Sequence, residues 1–201
     1  VNCSGSYILG GRNFHCWNIY GHGDLNMKEA IEHSCNIFYY KLIQDIGFDK
    51  WTKAVESFGF GHHTGIDLPG ENSGVVPSKI YMNKKYGKWG WATGNLLNFV
   101  IGQGDILVTP IQVVQMMNLI ATNGNTYQPH FNKSIIVPKK ELIFKESTWQ
   151  FLQDAMWQVV NAEKGTGKNA KIENGIVRGK TGTSQNPHGE DHSWFAGYIV
   201  K

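Results

Sequence analysis

The chain has 201 residues, with 19 Lys+Arg against 16 Asp+Glu, a formal charge of +3 and 41% hydrophobic residues. A chain of this length buries about 70% of the surface its unfolded form exposes, so a core needs neither a disulfide cage nor a metal. The basic residues are scattered singly apart from the pairs Lys84-Lys85 and Lys139-Lys140, which sets nucleic acid aside as a partner. The longest apolar runs, such as Phe38-Tyr39-Tyr40 and Ile135-Ile136-Val137, fall far short of the roughly 20 residues that cross a bilayer. The chain starts at Val1, has no signal-like segment and stops at Lys201 inside an expected strand, so a fragment of a longer protein is expected.

Residues 1–25 are Gly-rich and read as irregular. Asn26 with Glu29 three residues later has the form of an N-cap pair, and Ala30 and Ile31 begin an apolar helical face, so a short helix follows Asn26. Ser34-Cys35-Asn36 favours a turn, after which Ile37, Tyr40, Leu42 and Ile46 predict a second helix stopped by Gly47. Ser34 therefore sits at a helix junction. Asp49 to Phe58 predicts a third short helix ended by Gly59, and residues 60–100 read mostly as loop. Thr109-Pro110 starts the next helix, because Thr caps the first turn and Pro at the first helical position gives up an amide without a partner. Its expected buried stripe is Val113, Val114, Met117, Ile120 and Ala121, closed by Gly124. Ser147 opens a further helix with Phe151, Leu152, Ala155, Met156, Val159 and Val160 facing inward. From Ile176 the pattern becomes two neighbouring antiparallel strands, Ile176–Ser184 and Ser193–Val200, joined by a turn with Asn186-Pro187 and Gly189.

Two short signatures stand out, Ser34-Cys35-Asn36 at a helix junction and Lys180-Thr181-Gly182-Thr183 on a strand. Either alone is found in turns or edge strands far more often than in active sites; together with S-x-x-K they form the motif set of penicillin-binding proteins and class A β-lactamases. The likeness extends along nearly the whole chain. Gly21-His22-Gly23, Ala30-Ile31, Ser34-Cys35-Asn36, Phe60-Gly61, Thr64-Gly65-Ile66-Asp67-Leu68-Pro69, Ile101-Gly102-Gln103-Gly104, Thr109-Pro110-Ile111-Gln112 and Gly179-Lys180-Thr181-Gly182-Thr183-Ser184-Gln185 stand in order. In this the chain resembles the transpeptidase domain of class B penicillin-binding proteins. The Gly-His-Gly and Thr-Gly-Ile-Asp-Leu-Pro segments resemble most the penicillin-binding protein 2 subfamily, which elongates rod-shaped cells.

The resemblance implies an α+β fold of the β-lactamase/transpeptidase kind, an antiparallel sheet packed by helices with an all-helical subdomain, present here as a partial domain over residues 1–201. It implies acyl transfer from a D-alanyl-D-alanine stem peptide. Strand-borne Lys180 is a fixed cation that lowers the pKa of nearby hydroxyls and attracts the substrate carboxylate. Thr181 and Thr183 add hydroxyl donors, and Gly182 leaves room for substrate to lie along the strand edge. In this family the backbone N–H matching Thr183 serves the oxyanion hole. Ser34 is expected to relay a proton to the leaving amine, and Asn36 to hold the substrate amide and the nucleophile's Lys, unless it is only a helix cap. No serine of the chain has Lys three residues later, so S-x-x-K is absent and this chain by itself is expected to be inactive. The family motif with the acylated serine lies upstream of the segment resembling residues 3–35.

The cysteines are Cys3, Cys16 and Cys35, with His22 between the last two. One reading is a Cys3–Cys16 disulfide with Cys35 buried and free. The other is a Cys3, Cys16, His22, Cys35 zinc site, a closed tetrahedral and hence structural set, with His15 as rival ligand. A penicillin-binding protein 2 relative carries zinc near its second motif, through ligands that are not all Cys. Such a metal clamps residues 1–35 onto the junction that aims Ser34 and Asn36. His62 and His63 read as solvated loop residues, and His188 and His192 as flanks of the strand turn. Trp89 and Trp91 are either a binding lip or loop anchors, Gly102-Gln103-Gly104 a tight bend under the cleft, and Trp194 beside Phe195 the pocket floor.

Expected partners are the stem peptide, β-lactam antibiotics and a membrane glycosyltransferase of the elongation machinery, with the domain periplasmic and anchored in the inner membrane. Two rival readings share the triplets, a serine β-lactamase or β-lactam sensor, and a non-catalytic penicillin-binding-like module that binds a partner. The first needs a deacylating water and base, for which no loop is evident.

Overall fold

Glycine-rich residues 1–25 do not stay irregular in the computed structural model, which describes residues 1–186 and 188–200. They form β1 (Asn2–Cys3), β2 (Ser6–Leu9), β3 (Arg12–His15) and β4 (Gly23–Asp24); β1 pairs antiparallel with β4 and β2 with β3. Gly10 and Gly11 turn the β2–β3 hairpin, both at positive φ as a tight two-residue turn requires. The strands are too short for alternation to register, which is why the sequence hides them.

Two glycines let this segment fold back on itself. A Cβ on Gly5 would lie 2.1 Å from the Ile19 carbonyl oxygen, and one on Gly21, at φ +80°, would lie 2.2 Å from that of Cys3. Gly21→Ala is therefore expected to cost about 1–2 kcal/mol for its left-handed backbone and more for the clash. Gly23→Ala, with a similar φ of +72° but open space around it, carries the backbone part alone. Denaturant unfolding of both variants tests this, and equal losses would show that the close approach to Cys3 is not constraining.

The first helix begins where capping chemistry predicts. In α1 (Met27–Glu32) the Asn26 side chain accepts from the Glu29 N–H and Glu29 accepts from the Asn26 N–H. α2 (Asn36–Ile46) ends on Gly47 at φ +77°, and α3 (Phe48–Ser57) follows at once. Residues 60–100, expected as mostly loop, also hold α4 (Lys79–Tyr86) and α5 (Thr93–Val100). Ser78 caps α4 by accepting from the Tyr81 N–H, and α5 buries Leu96, Leu97 and Phe99. Eight residues hold barely two turns, so such helices depend on tertiary packing that no local pattern announces. Phe99 stacks on Trp51 at 5.9 Å and lies 6.1 Å from Phe48, which fuses α5 to α3 in the main core.

α6 (Pro110–Ala121) starts with the expected Thr109 capping box, yet its buried face differs from the apolar stripe. Val114 is exposed, whereas Gln112 and Gln115 are buried. A buried amide persists when its hydrogen bonds are met. Gln112 Nε2 donates to the His62 and Ser73 carbonyls at 2.8 and 2.7 Å, and its Oε1 accepts from Thr109 N, so it staples the 60–75 loop to the helix. The helix stops at Ala121, with Gly124 at φ +85° leading into β5 (Asn125–Tyr127), which pairs with β6 (Lys139–Glu141).

α7 (Glu146–Asn161) begins one residue before Ser147 and buries Trp149, Ala155, Met156, Val159 and Val160; Phe151 and Leu152 are only half-buried. After a 3-10 turn at Lys168–Ala170 come β7 (Ile176–Ser184) and β8 (His192–Val200), antiparallel as expected, with Lys180 opposite Ala196 and Thr183 opposite Ser193. Pro187 of the predicted turn, and Lys201, lie outside the described residues. Val159 and Val160 of α7 pack on Val177 of β7, so the long helix backs the strand that carries Lys180. Among the described residues no helix is long and apolar enough to cross a membrane.

Candidate active site and metal cluster

Ser34 lies between α1 and α2, at the predicted junction, with φ +53°. A non-glycine residue in that left-handed region carries about 1–2 kcal/mol of strain. It is held there on both sides: Ser34 N donates to Ile31 O at 3.2 Å, and Cys35 N to Ala30 O at 3.0 Å. Cys35 itself is fully buried, so the junction cannot swing out.

Lys180 reaches Ser34 from the far end of the chain. Its Nζ donates to Ser34 Oγ, to the Thr181 carbonyl at 3.0 Å and to Thr181 Oγ1 at 3.4 Å. Burial pushes the Lys180 ammonium down to about 8. Ser34 and Lys180 thus lie in hydrogen-bond contact, whereas the Asn36 amide, expected to share the cleft with them, donates to the His15 carbonyl. Thr181 joins them through its hydroxyl, while Gly182 and Thr183 continue along exposed backbone.

Among the described residues β7 pairs with β8 on one side only, and side chains reveal which backbone groups face the other. Asn161 Nδ2 donates to the Val177 carbonyl, Lys180 Nζ to that of Thr181 and Gln103 Nε2 to that of Thr183. In an antiparallel strand the N–H and C=O of one residue point to the same edge, and alternate residues share it. The Thr183 N–H thus turns toward the open edge, beside Lys180. The Gly102-Gln103-Gly104 bend, at φ 78° and 80° on its two glycines, carries Gln103 across the cleft. Its amide was not singled out from sequence as a contact to β7, and the only signal for it was the glycine pair.

Asn36 is the first residue of α2 and not its cap, since the N-cap position falls on Cys35. Its Nδ2 donates to the His15 carbonyl at 3.3 Å, which ties α2 to β3. Thr166, which the sequence reading passed over, stands between Ser34 and Thr181, at 3.3 Å and 3.0 Å from their hydroxyl oxygens. Trp91 is a loop anchor that donates to Asn83 Oδ1, whereas Trp89 is fully exposed with Lys88 over its ring. His62, His63, His188 and His192 are exposed, as expected.

The three cysteine thiols are not bonded to one another and converge on one histidine. The ligand atoms of Cys3, Cys16, His22 and Cys35 lie within 4.8 Å of one another. His22 Nδ1 is 3.5 Å from Cys3 Sγ and 3.6 Å from Cys16 Sγ. A tetrahedral zinc with Zn–S of about 2.3 Å and Zn–N of about 2.0–2.1 Å places sulfur and nitrogen about 3.5 Å apart, so the donor set fits that ion. His15 stands outside the cluster. The hydrogen bond from Cys35 holds the Cys16 thiol down at about 4, helped by backbone near Asn18 and Asn36, and the same bond with burial pushes Cys35 up. Cys16 is thus the sulfur that most readily gives up its proton, as a ligand must.

The family model of the penicillin binding protein transpeptidase domain matches residues 1–201. The chain is 31% identical over 214 residues to the peptidoglycan D,D-transpeptidase MrdA of Haemophilus influenzae, covering 93% of this chain and 33% of that protein. It is 35% identical over 188 residues to stage V sporulation protein D of Bacillus subtilis, covering 87% of this chain and 27% of that protein. It therefore spans about a third of the length of the curated relatives it matches. Among solved structures, Helicobacter pylori penicillin-binding protein 2, in a complex with MreC, superposes with a TM-score of 0.92 at 31% identity over 98% of this chain and 38% of that one. Pseudomonas aeruginosa penicillin-binding protein 2 gives 0.88 at 30% identity over 98% of this chain and 47% of its own. With Lys180 seated on Ser34 beside an open strand edge, and these likenesses running from end to end, the chain belongs to the penicillin-binding protein transpeptidase family, in its penicillin-binding protein 2 branch.

Proposed function

We propose that the full-length protein is a peptidoglycan D,D-transpeptidase of cell-wall elongation, acylated by β-lactams in place of its stem-peptide substrate. The observation that carries this reading is the contact of Lys180 Nζ with Ser34 Oγ on the unpaired side of β7. In the proposed reaction the serine of an S-x-x-K segment attacks the carbonyl of the penultimate D-alanine. The C–N bond breaks, terminal D-alanine leaves with a proton, and an acceptor amine later displaces the serine oxygen.

The residues of this chain supply binding and proton handling. Lys180 and the hydroxyls of Thr181 and Thr183 receive the terminal carboxylate, and Gly182 lets the peptide approach β7 as an added strand. The Thr183 N–H, on the open edge, donates to the developing oxyanion. Ser34, polarised by Lys180, passes a proton to the leaving amine. Asn36 keeps its Nδ2 on His15 and offers its Oδ1 to the substrate amide or to the nucleophile's Lys. A zinc held by Cys3, Cys16, His22 and Cys35 is structural, since four protein ligands leave no position for water, and it fixes the Ser34 junction.

The reading extends to a periplasmic protein on an inner-membrane anchor that works with a glycosyltransferase of the elongation machinery, and the likeness to a peptidoglycan D,D-transpeptidase supports it. The Helicobacter pylori relative solved in a complex with MreC supports a partner in that machinery.

Acylation by fluorescent penicillin as a function of pH tests the role given to Lys180. A lysine at about 8 is an ammonium below that pH and a neutral amine above it. Acylation efficiency, which reports the free protein, is expected to fall as pH rises through about 8. Lys180→Arg, whose guanidinium keeps its charge, is expected to remove that alkaline limb. Efficiency that keeps climbing beyond about pH 9 in the unmodified protein contradicts a cationic anchor.

A further inference from the structure

Ser34 and Thr181 reach the cleft on different elements, and besides Lys180 a further side chain joins them. Thr166 sits in the loop between α7 and the 3-10 turn, flanked by Gly165 and Gly167. A Cβ on Gly165 would lie 2.4 Å from the Val159 carbonyl oxygen, so glycine is what lets this loop lie against the end of α7. Gly167 N donates to Val159 O at 2.8 Å and fixes the other side. The half-buried Thr166 hydroxyl then has three neighbours: the Glu32 carbonyl at 3.1 Å, Ser34 Oγ at 3.3 Å and Thr181 Oγ1 at 3.0 Å.

Counting protons fixes the direction of each bond while Lys180 is charged. The three N–H groups of Lys180 point to Ser34 Oγ, Thr181 O and Thr181 Oγ1, so both hydroxyl oxygens accept from it. The Glu32 carbonyl can only accept, and it takes the single proton of Thr166. Ser34 and Thr181 are then left to donate their own protons to Thr166 Oγ1, whose two lone pairs receive one each. Every donor is used once and no acceptor is overfilled.

We propose that Thr166 is a positioning residue for acyl transfer: anchored on the Glu32 carbonyl, its hydroxyl collects the protons of Ser34 and Thr181 and holds their oxygens toward Lys180 and the cleft. The inference rests on the transpeptidase reading above and adds a residue outside the two triplets. Without Thr166 the hydroxyl protons of Ser34 and Thr181 lose their common acceptor, and the two side chains are free to rotate out of line with the ammonium.

The test uses the full-length protein and the rate of acylation by fluorescent penicillin. Thr166→Val, which replaces the hydroxyl by a methyl of similar volume, is expected to slow acylation about tenfold while the melting temperature falls by only a few degrees. Thr166→Ser, which keeps the hydroxyl and loses the methyl, is expected to stay within about threefold of the unmodified protein. Val as fast as threonine overturns the proposal. So does Ser as slow as Val, because that outcome assigns the effect to packing of the methyl; this comparison still decides if the Val variant melts early. If the unmodified protein, folded by its melting curve, takes up no penicillin, the transpeptidase reading itself falls and the role of Thr166 falls with it. Failure confined to the variants leaves that reading standing.

Discussion

Lys180→Ala in the full-length protein is expected to lower β-lactam acylation and transpeptidation by roughly 10²–10⁴-fold while leaving the fold at least as stable. The loss follows from what the ammonium touches. It is the donor to Ser34 Oγ and to both the carbonyl and hydroxyl of Thr181, so its removal strips the cleft of its charge and disconnects the serine from β7. The stability expectation follows from the sign of its pKa. Lysine in the unfolded chain titrates near its ordinary value, whereas burial in the folded protein holds it at about 8. Between those two values the unfolded state binds more protons, so stability rises with pH there, and below about 8 the folded state carries the full desolvation penalty. Alanine removes that penalty. Labelling with fluorescent penicillin and thermal unfolding of the same preparations check both halves, and labelling retained within a few-fold would remove Lys180 from the reaction.

Metal extraction is expected to have the second large effect. One equivalent of zinc should accompany the protein, and its removal by chelator, or His22→Ala, should lower the melting temperature by roughly 10 °C. A ligand present at about a thousand times its dissociation constant contributes about 4 kcal/mol, and each kcal/mol moves a domain of this size by about 2–4 °C. Acylation should weaken in parallel, because Cys35, one of the four proposed ligands, is the immediate neighbour of strained Ser34. Elemental analysis and melting curves decide the matter. Protein with no metal and a mass lower by the two hydrogens of a Cys3–Cys16 bond would return the cysteines to their other reading.

The parts legible in the sequence were those where local chemistry and tertiary demand agree. Asn26 with Glu29 and Thr109-Pro110 mark helix starts because the cap needs only residues close by, and α1 and α6 begin there. β7 and β8 announced themselves because nine residues of extended pattern on each side of a polar turn leave little alternative. α4 and α5 were hidden because their stability comes from Phe48, Trp51 and the rest of the core, not from their own eight residues. Gln112 and Gln115 broke the apolar stripe because the carbonyls that satisfy them, of His62, Ser73 and Phe58, come from distant loops. The site divides in the same way. Motif residues Ser34 and Lys180 were found by their triplets, whereas Thr166 and Gln103 act through single hydroxyl and amide contacts that carry no pattern.

The unpaired flank of β7 has a consequence for behaviour in a crowded compartment. A strand ready to accept a peptide is equally ready to accept a strand from a neighbouring molecule, which is the usual seed of aggregation. Here the accepting oxygens of Val177, Thr181 and Thr183 are each occupied by a side chain of the same molecule, from Asn161, Lys180 and Gln103. A passing strand must displace these side chains to pair along the edge, whereas in the proposed reaction a D-alanyl terminus brings a carboxylate that can itself engage Lys180 and the threonine hydroxyls. On that reading the slot is expected to favour short, negatively terminated visitors over long uncharged ones, so that the groups proposed for recognition also guard the edge.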